Sequence, residues 1–200
     1  MSGKNRREMR CGAEVRASPG AEQSAPRFEG YAAVFDSWSD DLGGFREKIA
    51  PGAFADTVRA DDVRLLLNHK PEYVVGRTKA GTLELREDDR GLWFSSPVPD
   101  CQWARDLYES VKRGDIDQCS FCFDLISDAW TEVPGQLAER TLTKVRLSDV
   151  SIVTYPAYPA TSVAARSADQ VLAEHQANKP SACRISILRA RIAMKEKELT

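Results

Sequence analysis

The 200-residue sequence has no apolar run near the roughly 20 residues that a membrane span needs, so no membrane partner is expected. Its basic N-terminus, Met1 to Ser18, lacks the apolar stretch of a secretory signal. The protein is therefore expected to stay in the compartment where it is made. Formal net charge is only −2, leaving no global positive field to attract nucleic acid. Cysteine is sparse and odd in number: Cys11, Cys101, Cys119, Cys122 and Cys183. In a chain this size, that pattern reads as free thiols in a reducing cytosol. Cys119 and Cys122 form a lone C-x-x-C without a second pair or a nearby histidine, and residues three apart on a strand face opposite ways. Small buried hydrophobes are the simpler reading. Neither a Gly-x-Ser-x-Gly elbow nor an H-E-x-x-H helix is present, which argues against a general cellular hydrolase. Histidine is scarcest of the chemically useful residues, with only His69 and His175.

The composition, 42% hydrophobic and 29% charged, is that of a globular chain rather than a disordered one. The length suits one domain plus a tail. Texture divides it into a polar, flexible lead-in (residues 1–27), a domain (28–165) and a linker with a narrow amphipathic helix (166–200). Within the domain, Phe28–Phe35 reads as a first strand and Ser37–Lys48 as a loop. Ala50–Val58 reads as a short helix with proline near its start. Val63–Leu67, Tyr73–Arg77, Thr82–Arg86 and Gly91–Val98 read as strands joined by short turns. Cys101–Arg113 is the clearest helix, with Asp100 as its cap, a Trp103–Leu107–Val111 stripe and Gly114 as its stop. In Cys119–Leu125, alternation puts Cys119, Phe121, Phe123 and Leu125 on one face and Ser120, Cys122 and Asp124 on a more polar one. Arg140–Val145 and Leu147–Thr154 are two further strands.

Chemistry must be built from few parts. His69 ends the strand Val63–Leu67 where it meets a turn; by position alone, a plain surface histidine is the simpler reading. His175 falls in the weakly patterned tail. Ser120 becomes a useful nucleophile only beside a base, and that base needs a third group to orient it. Asp149 is a carboxylate inside an otherwise apolar strand, where an unpaired charge is costly and an imidazole partner would explain it. Asp124, on Ser120's face, is the fallback. Cys119 and Cys122 offer a rival thiol nucleophile, although Cys119 falls on the apolar face and Cys122 one pleat away from Ser120.

Five ordered stretches carry a resemblance: Phe28–Phe35, Glu47–Phe54, Val63–His69, Gln118–Phe123 and Leu147–Pro159. Together they resemble the prohead protease family of tailed phages, related in fold to herpesvirus assemblins. The resemblance implies an α+β, mainly β fold: a small, mostly antiparallel β-barrel with flanking helices. It puts the family's histidine on His69, its serine on Ser120 and its acidic position on Asp149, with no cofactor and no metal. Two residues depart from the pattern. Cys122 replaces a small residue, and Asp149 replaces the commoner glutamate, one methylene longer. In herpesvirus relatives a second histidine takes the third role; here that leaves only His175, whose tail position argues against it. The implied task is a serine endopeptidase packaged inside the immature procapsid in the host bacterial cytoplasm. It would trim the scaffold segment of the major capsid protein and also itself, with self-association as a further partner expectation. The alternative is a catalytically silent, scaffold-binding assembly protein of the same fold; retention of both His69 and Ser120 argues against it.

Overall fold

Two long strands rich in apolar and β-branched residues set the frame. The computed structural model describes residues 7–11, 14–19, 25–132, 136–155 and 171–177. Strands β9 (Gln118–Thr131) and β10 (Ala138–Val153) pair antiparallel along most of their length. β1 (Arg7–Cys11) adds antiparallel to the far side of β9. On the far side of β10, β5 (Arg64–Leu67) pairs in parallel, followed by antiparallel β6 (Lys70–Arg77). β4 (Phe45–Ile49) runs parallel to the first residues of β10, completing a six-stranded sheet. A second sheet is antiparallel throughout, in the order β2 (Glu14–Ser18), β3 (Arg27–Val34), β8 (Gly91–Pro97) and β7 (Glu84–Glu87). The fold is α+β and mainly β, a curled half-barrel with few helices, as the sequence led us to expect.

Both sheets contribute to one core. Phe28, Leu92 and Phe94 come from the four-stranded sheet; Phe121, Phe123, Val150 and Ile152 come from the six-stranded one. Burying each such side chain stabilises the fold by roughly 1.5–3 kcal/mol. Helix α2 (Gln102–Arg113) buries Ala104, Leu107 and Val111 and stops at Gly114, whose φ of 82° is one that glycine adopts at little cost. Its N-terminus differs from expectation: Cys101 is the cap residue and makes no side-chain cap bond, while Asp100 pairs with Arg105. α1 (Ala55–Ala60) starts later than expected, because residues 51–54 form turns.

Several expectations need correcting. The lead-in 1–27 is not simply flexible, since it supplies β1 and β2. β1 is polar because Glu8 and Arg10 are neutralised by buried partners rather than by water. β2 lies so close to β3 that a Cβ on Gly30 would sit 2.0 Å from the Glu14 carbonyl oxygen. Part of the loop assigned to Ser37–Lys48 is β4, in which buried Glu47 interrupts what would otherwise be a plain Phe45/Ile49 alternation. The two strands expected at 140–145 and 147–154 are one strand, β10, with bulges. Residues 171–177, placed beyond the domain by sequence, are helical and bury Val171 against Phe45. The amphipathic helix expected toward the C-terminus lies outside the described residues.

Candidate active site

His69 and Asn68 form the two-residue turn between β5 and β6, with Leu67 paired to Lys70. Both have positive φ, 53° and 55° in chain order, the pattern of a type I′ hairpin turn. Asparagine and histidine tolerate this conformation better than most non-glycine residues. The turn is tied down to the end of β10. Asn68 N–H donates to the Ile152 carbonyl at 2.9 Å, and its Oδ1 accepts from Thr154 N–H at 2.9 Å. The His69 backbone N–H donates to Ser151 Oγ at 3.1 Å.

The His69 ring then bridges two strands. Nε2 lies 2.8 Å from Ser120 Oγ on β9, and Nδ1 lies 2.6 Å from Asp149 Oδ1 on β10. The three residues picked out in the sequence are thus brought together in one hydrogen-bonded line. Asp149 reaches the ring despite its short side chain because of a bulge. Leu147 opposes Phe123, but Asp149 opposes Cys122, so Ser148 is the unpaired residue. That extra residue lets Leu147 face the core while Asp149 and Ser151 share the Ser120 face.

Ser151 is a fourth member that the sequence reading did not single out. It sits opposite Ser120 in the ladder. Its Oγ is 3.1 Å from Asp149 Oδ1 and 3.1 Å from His69 Nδ1, besides accepting the His69 N–H. The only sequence signal for it was its period-two spacing from Asp149. The alternatives separate from this line. Asp124 lies four residues from Ser120, roughly 13 Å along the strand, opposite Arg7 and Arg146. His175 stacks on Trp130, with ring centroids 4.0 Å apart, and bonds Glu132 at 2.8 Å.

One expectation about Ser120 fails. It is fully buried, at 0% exposure, although it lies on the face that the sequence marks as the more polar one. The cause is β1, whose Cys11 opposes Ser120 and whose Arg10 carbonyl accepts the hydroxyl at 2.9 Å. Cys122, on the same face, is a poor rival. Burial, and then the Asp149 carboxylate, push its thiol up to about 12. Burial likewise raises Cys119 far above the ordinary thiol range.

This geometry can be set beside known proteins. Residues 12–175 match the family model described as caudovirus prohead serine protease. The chain belongs to that family. Among solved structures, the bacteriophage T4 capsid assembly protease, gp21, aligns at 11% identity and a TM-score of 0.45, covering 74% of this chain and 99% of that one. No curated protein sequence matches. A prohead serine protease is a phage protease of capsid maturation, which gives the general kind of chemistry to expect here. Among the described residues, no group of His, Cys, Asp and Glu is arranged to hold a metal ion, and no helix is long and apolar enough to cross a membrane.

Proposed function

We propose that this prohead protease cleaves the scaffold segment of the major capsid protein, and itself, with Ser120 as nucleophile, His69 as general base and Asp149 as the group that orients it. The observation supporting this is the single imidazole held 2.8 Å from a hydroxyl and 2.6 Å from a carboxylate. With Nδ1–H donated to Asp149, the neutral ring has its Nε2 lone pair free to accept the Ser120 proton. Oγ then attacks the peptide carbonyl carbon while Nε2 takes that proton. The C–N bond breaks as Nε2 returns the proton to the leaving amine, and water repeats the sequence on the acyl-enzyme. Asp149 keeps its hydrogen bond to Nδ1–H and stabilises the imidazolium. This chemistry requires neither metal nor organic cofactor. The setting is the immature procapsid in the host bacterial cytoplasm, with capsid or scaffold protein as partner and neither nucleic acid nor membrane.

The test is intact-mass analysis of the chain co-expressed with its capsid protein. Ser120→Ala should fold and leave all substrate uncut; normal processing by that variant would remove the serine from its role. A second reading, a catalytically silent scaffold-binding protein, draws on the complete burial of Ser120. It becomes the better account if the wild type cuts nothing even when every phage assembly protein is present.

A further inference from the structure

Ser120 lies between two strands, with β10 on one side and the short edge strand β1 on the other. β1 does more than cover it. A serine hydroxyl has one proton to give. With His69 Nδ1–H on Asp149, Nε2 needs that proton, yet the Arg10 carbonyl, which can only accept, lies 2.9 Å from the same oxygen. While β1 is in place, the hydroxyl is shielded from any peptide and its proton has a competing acceptor.

The far face of β1 shows what holds it there. The Arg10 guanidinium takes both carboxylate oxygens of Glu47, Nε at 2.7 Å and Nη2 at 3.0 Å, and lies over the Phe123 ring. Glu8 meets Arg140 at 2.8 Å. Removal of β1 takes away one acid and one base. The net charge of the group is unchanged, but buried Glu47 keeps only Arg140, on Oε2. Its Oε1, which Arg10 Nε now holds, is left without its cationic partner, so the vacated place calls for another cation. The vacated edge of β9 is also a row of unpaired backbone groups, suited to adding an extended peptide.

We infer that β1 occupies the slot of the substrate: an extended peptide, with an arginine or lysine seated on Glu47, replaces β1 beside β9 and presents its own carbonyl to Ser120 where the Arg10 carbonyl now lies. The chain with β1 in place is a latent form. The inference rests on the proposed role of Ser120 only for the cleavage step; the exchange of strands can be tested without it.

Access is read first by alkylating the thiol of Ser120→Cys in the full-length chain. Adding Arg10→Ala should speed alkylation about tenfold or more, by releasing a local opening. A peptide copying residues 4–13, with serine in place of Cys11, should restore the protection in that double variant. The same peptide with glutamate in place of Arg10 should not. Equal alkylation with and without Arg10→Ala, or no difference between the two peptides, would overturn the inference. Because Arg10→Ala could unfold the chain, a second variant works in the opposite direction. Arg7 and Asp124 are ladder partners, and paired Cα atoms about 4.5–5.5 Å apart suit a disulfide. Arg7→Cys with Asp124→Cys, when oxidised, should lose labelling of Ser120 by a fluorophosphonate and regain it on reduction. Clear and equal labelling in both states would overturn the inference as well. If the position-120 thiol responds as stated but Ser120 is never labelled in any form, the slot stands and the nucleophile assignment falls.

Discussion

The two ends of β10 each bury polar groups, and they solve the problem in opposite ways. At the start of the strand, Arg140 is 1% exposed and meets Glu8, Glu47 and Asp128, while Arg10 closes the group from β1. The contacts that join these five residues pair fixed charges, and no proton needs to move. At the other end, Asp149, Ser151, His69 and Ser120 share hydrogen bonds whose protons can shift between oxygen and nitrogen. The first arrangement is saturated, and its worth is structural: it fastens β1, β4, β9 and β10 together. The second keeps one acceptor position on the imidazole uncommitted, which is what general-base chemistry needs. The same strand thus carries a lock and a reactive line about ten residues apart, and substitutions should separate them into stability effects and rate effects.

The largest effect should come from Asp149→Asn. An amide cannot hold the Nδ1–H tautomer in the same way, and the processing rate should fall about 10⁴-fold. Thermal and urea stability should change little. A rate within about tenfold of wild type, followed by timed intact-mass analysis, would mean that Asp149 does not orient His69.

Arg140→Ala should do the reverse. It strands Glu8 and Glu47, 2% and 3% exposed, without their shared guanidinium. Stability should drop by about 3–5 kcal/mol in urea unfolding. The same lock should respond to acid. Burial alone would raise the Glu8 pKa, but the hydrogen bond from Arg140 and the charges of Arg10 and Arg140 outweigh it and hold it below 4.5. A depressed carboxyl stabilises the fold fully above its unfolded pKa and loses that contribution as pH falls through its folded value. Urea midpoints should therefore be steady above about pH 5 and decline below it, with a shallower decline in Glu8→Gln. An identical slope in that variant would place the acid sensitivity elsewhere.

Ser151→Ala should have an intermediate effect, lowering kcat about 10- to 100-fold by loosening both the His69 turn and the Asp149 carboxylate. Because Ser151 positions others rather than touching the reacting atoms, KM should stay within about twofold, and Ser151→Thr should restore part of the rate. A loss confined to KM would contradict this role.

The same contrast explains how much was legible in the sequence. The apolar strands and α2 announce themselves through period and stop signals. Ser120 and Asp149 are reachable as reactive types on strands, whereas His69, in a turn, reads by position alone as a plain surface histidine, and only the family resemblance puts the three together. The lock was not legible, because Glu8, Arg10 and Glu47 look like solvated polar residues until their partners, up to 132 positions away, are known. This is why β1 and β4 were read as a lead-in and a loop. The bulge at Ser148 was hidden for another reason. Strict alternation from Leu147 would put Asp149 on the core face, and only the ladder register shows the extra residue. The burial of Ser120 followed from the same gap, since the strand that covers it had not been read as a strand.

Cys122 gives the smallest effect and sharpens the contrast most finely. It opposes Asp149 on the face of Ser120, so it is placed to serve as a substitute nucleophile if any thiol could. Its environment argues otherwise: with its pKa pushed up to about 12, roughly one molecule in 10⁵ carries the thiolate at pH 7. Cys122→Ala should therefore retain activity within about twofold and lose about 1 kcal/mol of stability through the missing sulfur. Iodoacetamide should leave the wild-type rate unchanged for as long as the fold holds. A loss of activity in Cys122→Ala as deep as that in Ser120→Ala, with the fold intact by circular dichroism, would transfer the nucleophile's role to sulfur and leave the His69–Ser120 contact as packing.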